Sequence, residues 1–312
     1  MAIRTKLELE DLVELGKQFG LKVVSSKPVK EGLRNSNYVL ESSYGNRYVL
    51  RVCDDQSLKQ AESLVRLIGH LFESGFPSQK PVFPNGEKLI THNDKPVIVL
   101  SYIDGETISD LSLGQLEQLG ACMAQMHGLD VPEFVSPVHP FGFELYAERF
   151  SGVDHEYIKW FNERRQYFDE VMPADLPGGI VHGDLWYDNA IYHNGDLAGI
   201  IDFESGYHGK CIFDIGQTTI GSCRENGSLN YGKVRALVDG YQSVRPLEDR
   251  EKALLKLGAS QAAAVISIWR FYYFNLRCGE ANNQRYFEAV KLSDDLDALS
   301  NDRFMKSVFG DS

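Results

Sequence analysis

The chemistry in this sequence is concentrated between Ile180 and Glu204, where Asp184, Asn189 and Asp202 stand in Val181-His182-Gly183-Asp184-Leu185-Trp186-Tyr187-Asp188-Asn189 and Ile200-Ile201-Asp202-Phe203-Glu204. Short apolar pieces (Gly179-Ile180-Val181, Ala190-Ile191-Tyr192, Gly199-Ile200-Ile201) alternate with these polar clusters. Each reactive side chain is therefore expected on a loop leaving a short strand, with the three gathered at one rim. Phosphoryl transfer asks for such a set. The protein does little covalent work, but carboxylate and amide oxygens must hold magnesium, and a carboxylate must orient the attacking hydroxyl and accept its proton. A single aspartate in a polar loop is ordinarily solvated surface; the joint pattern reverses that reading. His182, between Val181 and Gly183, reads as a hydrogen-bonded support of its loop, and its neighbours do not suggest a zinc site.

The elements that must carry these loops follow from periodicity. Residues 37–41 and 47–52 are β-rich and separated by Ser-Ser-Tyr-Gly-Asn, a hairpin signal that puts Tyr48, Leu50 and Val52 on one face. Leu58, Ala61, Val65, Ile68 and Phe72 form an amphipathic stripe, closed by Gly75 and Pro77. Residues 96–102 are a nearly continuous apolar run, expected as a buried strand that empties into the turn pair Asp104-Gly105. Beyond that point helical spacing dominates, with one helix through Leu116, Leu119, Met123 and Met126 and another through Tyr157, Phe161, Phe168 and Val171. A long apolar helix is expected from about Lys252 to Leu276, its aromatics serving as core. The fold class is α+β: an N-lobe of antiparallel sheet plus helix over residues 1–103, and a mainly helical C-lobe over residues 104–312.

The string His-Gly-Asp-Leu-Trp-Tyr-Asp-Asn followed by Ile-Asp-Phe-Glu resembles the paired signature motifs of the aminoglycoside phosphotransferase and choline kinase superfamily, whose fold is kinase-like. What the resemblance implies is Asp184 as catalytic base, Asn189 and Asp202 as magnesium ligands, His182 as support of the catalytic loop, and Asp214 in Phe213-Asp214-Ile215-Gly216 as the family's later structural aspartate. ATP and Mg2+ are the implied cofactors. Gly32-Leu33-Arg34-Asn35-Ser36-Asn37-Tyr38 stands where the family has a nucleotide-covering loop, so Asn35, Ser36 and Asn37 would approach the phosphates. Arg51 occupies the position of the usual phosphate-binding lysine, with Glu62 in the next helix as its candidate partner, and Ser101, Tyr102 and Ile103 resemble the segment whose backbone binds adenine.

A closer likeness is to the second type of homoserine kinase, carried by the 32–38 loop, by Leu176-Pro177-Gly178-Gly179 and by Ile268-Trp269-Arg270-Phe271-Tyr272-Tyr273. Gly183, where those kinases often have alanine, and Ile-Asp-Phe-Glu, nearer the choline kinase pattern, depart from it. Homoserine is the leading acceptor on this basis, with choline, aminoglycosides or sugars as alternatives. Glu204 is a candidate contact for an amine, and Arg270 and Arg277 for a carboxylate. A catalytically silent nucleotide-binding module is disfavoured because Asp184, Asn189 and Asp202 are all present, and a protein kinase because no Asp-Phe-Gly occurs.

Bulk properties agree with a small-molecule substrate. The net charge of -12 over 312 residues repels phosphate backbones and anionic lipid, so neither nucleic acid nor a membrane is an expected partner, whereas an amine-bearing substrate would be drawn in. Five scattered cysteines without a CxxC pair read as reduced thiols, and no apolar run reaches the ~18 residues of a membrane span, so the expected location is the cytoplasm.

Overall fold

The computed structural model describes residues 5–30, 32, 34–85 and 89–310; Leu33 of the expected nucleotide-covering loop lies outside them. The protein is α+β, with an antiparallel sheet early in the chain and helices in the later part. It divides into two compact units, Met1–Asp104 with Ala198–Ile201, and Gly105–Leu197 with Asp202–Ser312.

In the first unit, α1 (Leu9–Gln18) precedes β1 (Val23–Pro28), β2 (Ser36–Ser42), β3 (Arg47–Val52), α2 (Leu58–Glu73), β4 (Pro81–Val82), β5 (Ile90–His92) and β6 (Lys95–Ser101). The strands pair antiparallel in the order β1-β2-β3-β6-β4, and β5 also pairs with β6. The β2–β3 register sets Ser36 opposite Val52 and Asn37 opposite Arg51. Side chains alternate across a strand, so Leu50 and Val52 join Leu40, Val97 and Val99 in a core with Leu12, Leu15 and Phe19, while Arg51 is delivered to the other face. A capping box between Ser57 and Gln60 starts α2. Its buried face runs through Ala61, Leu64, Val65, Ile68 and Leu71, which corrects the stripe read from sequence: Leu58 and Phe72, each in a terminal turn, are exposed. Ala198–Ile201 joins this unit through a bridge from Ser78 to Ile200 and a 2.8 Å hydrogen bond from the Ile200 N–H to the Pro77 carbonyl.

The second unit contains α3 (Leu113–His127), α4 (Phe143–Arg149), α5 (Glu156–Val171), β7 (Gly178–Val181), β8 (Ala190–His193), the start of β9 (Asp196–Ile200), β10 (Tyr207–Lys210), α6 (Cys211–Ser222), the small hairpin β11 (Arg224–Glu225) and β12 (Ser228–Leu229), α7 (Tyr231–Gln242), α8 (Asp249–Arg270), α9 (Arg285–Ala298) and α10 (Asn301–Phe309). The helix expected as far as Leu276 instead turns π-helical over Phe271–Arg277. Its aromatics are core: Phe271 stacks on Tyr157 at 4.3 Å and meets Phe150 and Tyr286 edge-on. Helices α6 and α8 touch through backbone, since a Cβ on Gly216 would come within 2.5 Å of the Gly258 carbonyl carbon. Among the described residues no helix is long and apolar enough to cross a membrane.

Candidate active site

The loop between β7 and β8 is held from beneath by α6. Asp214, Gln217 and Thr218 recur at the three- and four-residue steps that share a helix face. Asp214 accepts the His182 N–H at 2.6 Å and the Gly183 N–H at 2.8 Å, one on each carboxylate oxygen. Gln217 donates to the Gly183 carbonyl (2.9 Å) and accepts from the Trp186 indole (3.2 Å), while Thr218 donates to the Leu185 carbonyl (2.7 Å). The loop backbone therefore finds its partners in protein and not in water, which fixes the direction in which the exposed Asp184 leaves it. Gly183 is required twice over: its φ is +78°, and a Cβ would lie 2.4 Å from the Ser205 carbonyl oxygen.

His182 is fully buried, with Nδ1 accepting the Asp184 N–H at 3.2 Å and its ring 4.8 Å from that of Phe203. Asn189 donates from Nδ2 to the Asp184 carbonyl at 2.7 Å, which ties the two ends of the loop together and turns the amide oxygen away from that bond. Asp202 has the left-handed backbone φ 67°, ψ 55°, a conformation Asp tolerates better than most side chains. Although Asp188 keeps an exposed surface, desolvation within the loop, and after it the Asp202 carboxylate, push its carboxyl above the ordinary range against a backbone hydrogen bond and His182. The carboxylates of Asp188 and Asp202 and the amide oxygen of Asn189 are the hard donors this region offers a dication. Among the described residues no cluster of three or more His, Cys, Asp or Glu could hold a metal.

A second tier stands behind Asp214. His127, at the end of α3, places Nε2 3.2 Å from Asp214 and Nδ1 2.9 Å from the Tyr241 hydroxyl, and Arg245 links that hydroxyl (3.1 Å) to the fully buried Glu251 (3.0 Å). Burial disfavours charge on His127, yet Cys211, Tyr241 and the hydrogen bond to Asp214 together hold its pKa well above the imidazole norm. Sequence reading missed Gln217, Thr218, His127 and Tyr241. The one local signal was polar residues at helical spacing in α6, a segment without Lys, Arg or Glu.

In the first unit, Arg51 is buried on β3 and donates from Nε to Asn37 Oδ1 at 2.9 Å. Glu62 lies exposed on α2, and among the described residues no ion pair joins it to Arg51; the strand register gives that place to Asn37, directly opposite. Asn35 and Ser36 are buried, and the Ser36 hydroxyl is engaged by Thr5 and Asp54. The Ser101 N–H donates to the Lys80 carbonyl, the Ser101 carbonyl accepts from Gln79, and the Tyr102 N–H donates to the Arg47 carbonyl. Among the described residues the backbone groups of Ile103 make no hydrogen bond. The acceptor candidates are dispersed in the second unit. Glu204 is half-buried in the turn Phe203–Ser205, Arg270 donates to the Arg285 carbonyl (3.0 Å) and to Glu288 (3.3 Å), and exposed Arg277 lies over the Tyr273 ring.

A family model described as "Phosphotransferase enzyme family" matches residues 25–247. The chain is 28% identical to the homoserine kinase of Paramagnetospirillum magneticum over 290 residues, covering 87% of this chain and 88% of that protein. It is 30% identical to the homoserine kinase of Phenylobacterium zucineum over 285 residues, 87% of each. Among solved structures, an amicoumacin kinase in complex with AMP-PNP and Ca2+ superposes with TM-score 0.75 at 16% identity, over 95% of this chain and 97% of that one. A choline/ethanolamine kinase family protein from Mesorhizobium loti superposes with TM-score 0.64 at 17% identity, over 91% and 92%. The two structural likenesses establish the fold, and the family match covers well over half of the sequence. This chain belongs to the phosphotransferase enzyme family, and the protein is a small-molecule phosphotransferase.

Proposed function

We propose that the protein transfers the γ-phosphoryl group of ATP to the hydroxyl of homoserine. The observation that carries the acceptor is the extended likeness to proteins named homoserine kinase, 26–30% identical over most of the chain. In this reading Asp184 orients the acceptor hydroxyl and takes its proton as the bond to phosphorus forms. Its loop is held ready by Asp214, Gln217 and Thr218, so no reorganisation is needed at the moment of reaction. Asn189 and Asp202 would hold magnesium, which when bound neutralises phosphate charge. Arg51, oriented by Asn37, binds phosphate, with the backbone of Asn35, Ser36 and Asn37 nearby; Ile103 offers its unengaged backbone groups to adenine, beside Ser101 and Tyr102. Glu204 is the candidate for the amine of the acceptor, and Arg270 and Arg277 are the candidates for its carboxylate.

The test is a thermal-shift assay with ATP and magnesium, followed by steady-state turnover on homoserine, choline, aminoglycosides and sugars. Homoserine should give a kcat/KM at least about a hundredfold above the others, the scale on which a site that hydrogen-bonds its substrate rejects analogues lacking the groups. Turnover on choline with none on homoserine would transfer the reading to a choline kinase. ATP binding without turnover on any acceptor would favour a silent nucleotide-binding module.

A further inference from the structure

The first unit holds a side-chain network that the catalytic reading leaves unused. The Asp54 side chain, beyond the end of β3, is 4% exposed and accepts from Ser36 Oγ, Thr5 Oγ1 and Lys95 Nζ, each at 2.6 Å. Lys95 also donates to Thr5 Oγ1 (2.7 Å), and the Thr5 N–H donates to Ser36 Oγ (2.8 Å). The Tyr38 hydroxyl donates to the Thr5 carbonyl (2.8 Å) and accepts the Leu7 N–H (2.9 Å). The donors and acceptors close: each hydroxyl of Thr5, Ser36 and Tyr38 gives its one hydrogen and accepts another. Burial alone would raise the Asp54 pKa, and the hydrogen bonds from Lys95, Ser36 and Thr5 turn the shift downward.

A buried carboxylate is costly unless hydrogen-bonded in this way, and its position says what the bonds hold. Ser36 is the first residue of β2, immediately before Asn37, and Asp54 follows Arg51 at the exit of β3. The network thus ties together the ends of β2 and β3 just beyond the Asn37–Arg51 pair, on the sheet face opposite to Arg51. The segment Thr5–Leu7, which precedes α1, is its outer member. We propose that this segment is a clasp that sets the Arg51 guanidinium for phosphate through Ser36 and Asp54, making Thr5 and Asp54 positioning residues for the nucleotide. The inference rests on the reading of Arg51 as the phosphate-binding cation.

Thr5→Val keeps the shape and deletes the hydroxyl, Thr5→Ser keeps the hydroxyl, Asp54→Asn weakens the hub, and Arg51→Ala is the reference. The measurements are the Kd for ATP with magnesium by calorimetry, KM and kcat with the best acceptor, and the melting temperature. Thr5→Val should raise Kd and KM for ATP together by about five- to tenfold, the upper scale of an ordinary intramolecular hydrogen bond, with kcat within twofold; Thr5→Ser should restore the wild-type values. Asp54→Asn should exceed Thr5→Val, and if it does not fold, Thr5→Val decides alone. A folded Thr5→Val with wild-type Kd, beside an Arg51→Ala that binds ATP weakly, overturns the clasp and leaves the nucleotide reading standing. An Arg51→Ala of unchanged affinity removes both.

Discussion

Loop 182–189 of the second unit and the Arg51 region of the first are fixed by opposite means. Loop 182–189 takes its direction from a buried helix: Asp214 and Thr218 are fully buried, Gln217 nearly so, and they bind its backbone. Arg51 takes its direction in part from a neighbouring strand, donating from Nε to Asn37 Oδ1 directly opposite it. The first arrangement roots the loop backbone in the core, so damage to its supports should reach stability and turnover together. The second lies at the end of a hairpin, where damage should reach nucleotide affinity and leave most of the core intact.

The largest effect expected from this contrast is at Asp184. Its side chain is exposed while its backbone is anchored, so Asp184→Asn should fold with near wild-type stability. Loss of charge and basicity should lower kcat by roughly two to four orders of magnitude, the usual scale for a general base, while the Kd for ATP stays within a few-fold. A melting curve, a calorimetric titration and a turnover assay on one preparation separate these quantities. A stable variant turning over at the wild-type rate would end the catalytic assignment.

Asp214→Asn probes the anchor. The amide can accept one of the two loop N–H groups, but its own NH2 then confronts the other and His127. A loss of about 3–5 kcal/mol is expected, as when one partner of a buried charged network is removed. Amide exchange at His182 and Gly183 should accelerate by more than the global loss accounts for. Equal acceleration throughout the unit would mean that Asp214 stabilises the fold without specially ordering the loop.

The second unit also predicts an acid limb. His139 is buried against Tyr207 and Phe213, accepts the Phe141 N–H at 2.9 Å, and is pushed down to about 3 by burial, with Asp214 acting weakly in the opposite sense. A folded pKa below the unfolded value means that the stability is present above about pH 6.5 and is lost as pH falls toward 3, at up to about 1.4 kcal/mol per pH unit. His139→Asn keeps an acceptor for Phe141 and should flatten this limb. Urea unfolding at pH 7 and pH 5 reads the slope, and parallel curves for both proteins would rule the histidine out as its source.

The parts of this molecule that were readable in its sequence are those whose partners lie close along the chain. Asp184, Asn189 and Asp202 stand out because they sit in two polar clusters between short apolar strands, close along the chain. The hairpin and α2 follow from local periodicity and caps, although α2's stripe was misjudged at Leu58 and Phe72. Gln217, Thr218, His127 and Tyr241 meet the loop or one another only through helices brought together by the tertiary fold. A polar residue in an apolar helix does not say which backbone group it will find. The Asn37–Arg51 contact lay between these cases, since both residues were singled out and the hairpin register alone pairs them.

Glu62 gives the smallest expected effect and tests the first unit's side of the contrast. A kinase-like reading of sequence pairs it with Arg51, and such a pair, if it oriented the cation, would make Glu62→Gln costly for ATP binding. Here Glu62 is exposed on α2, and Arg51 is oriented by Asn37 across the ladder. An exposed charge without a fixed partner contributes between nothing and about 1 kcal/mol, so Glu62→Gln should leave the Kd for ATP and kcat within about twofold. Asn37→Ala, by contrast, removes the Nε acceptor and should weaken ATP binding severalfold with kcat nearly constant. The two variants measured side by side by calorimetry decide which residue aims the guanidinium. A large loss in Glu62→Gln with none in Asn37→Ala would show that α2, and not the β2 strand, directs Arg51 when nucleotide is bound.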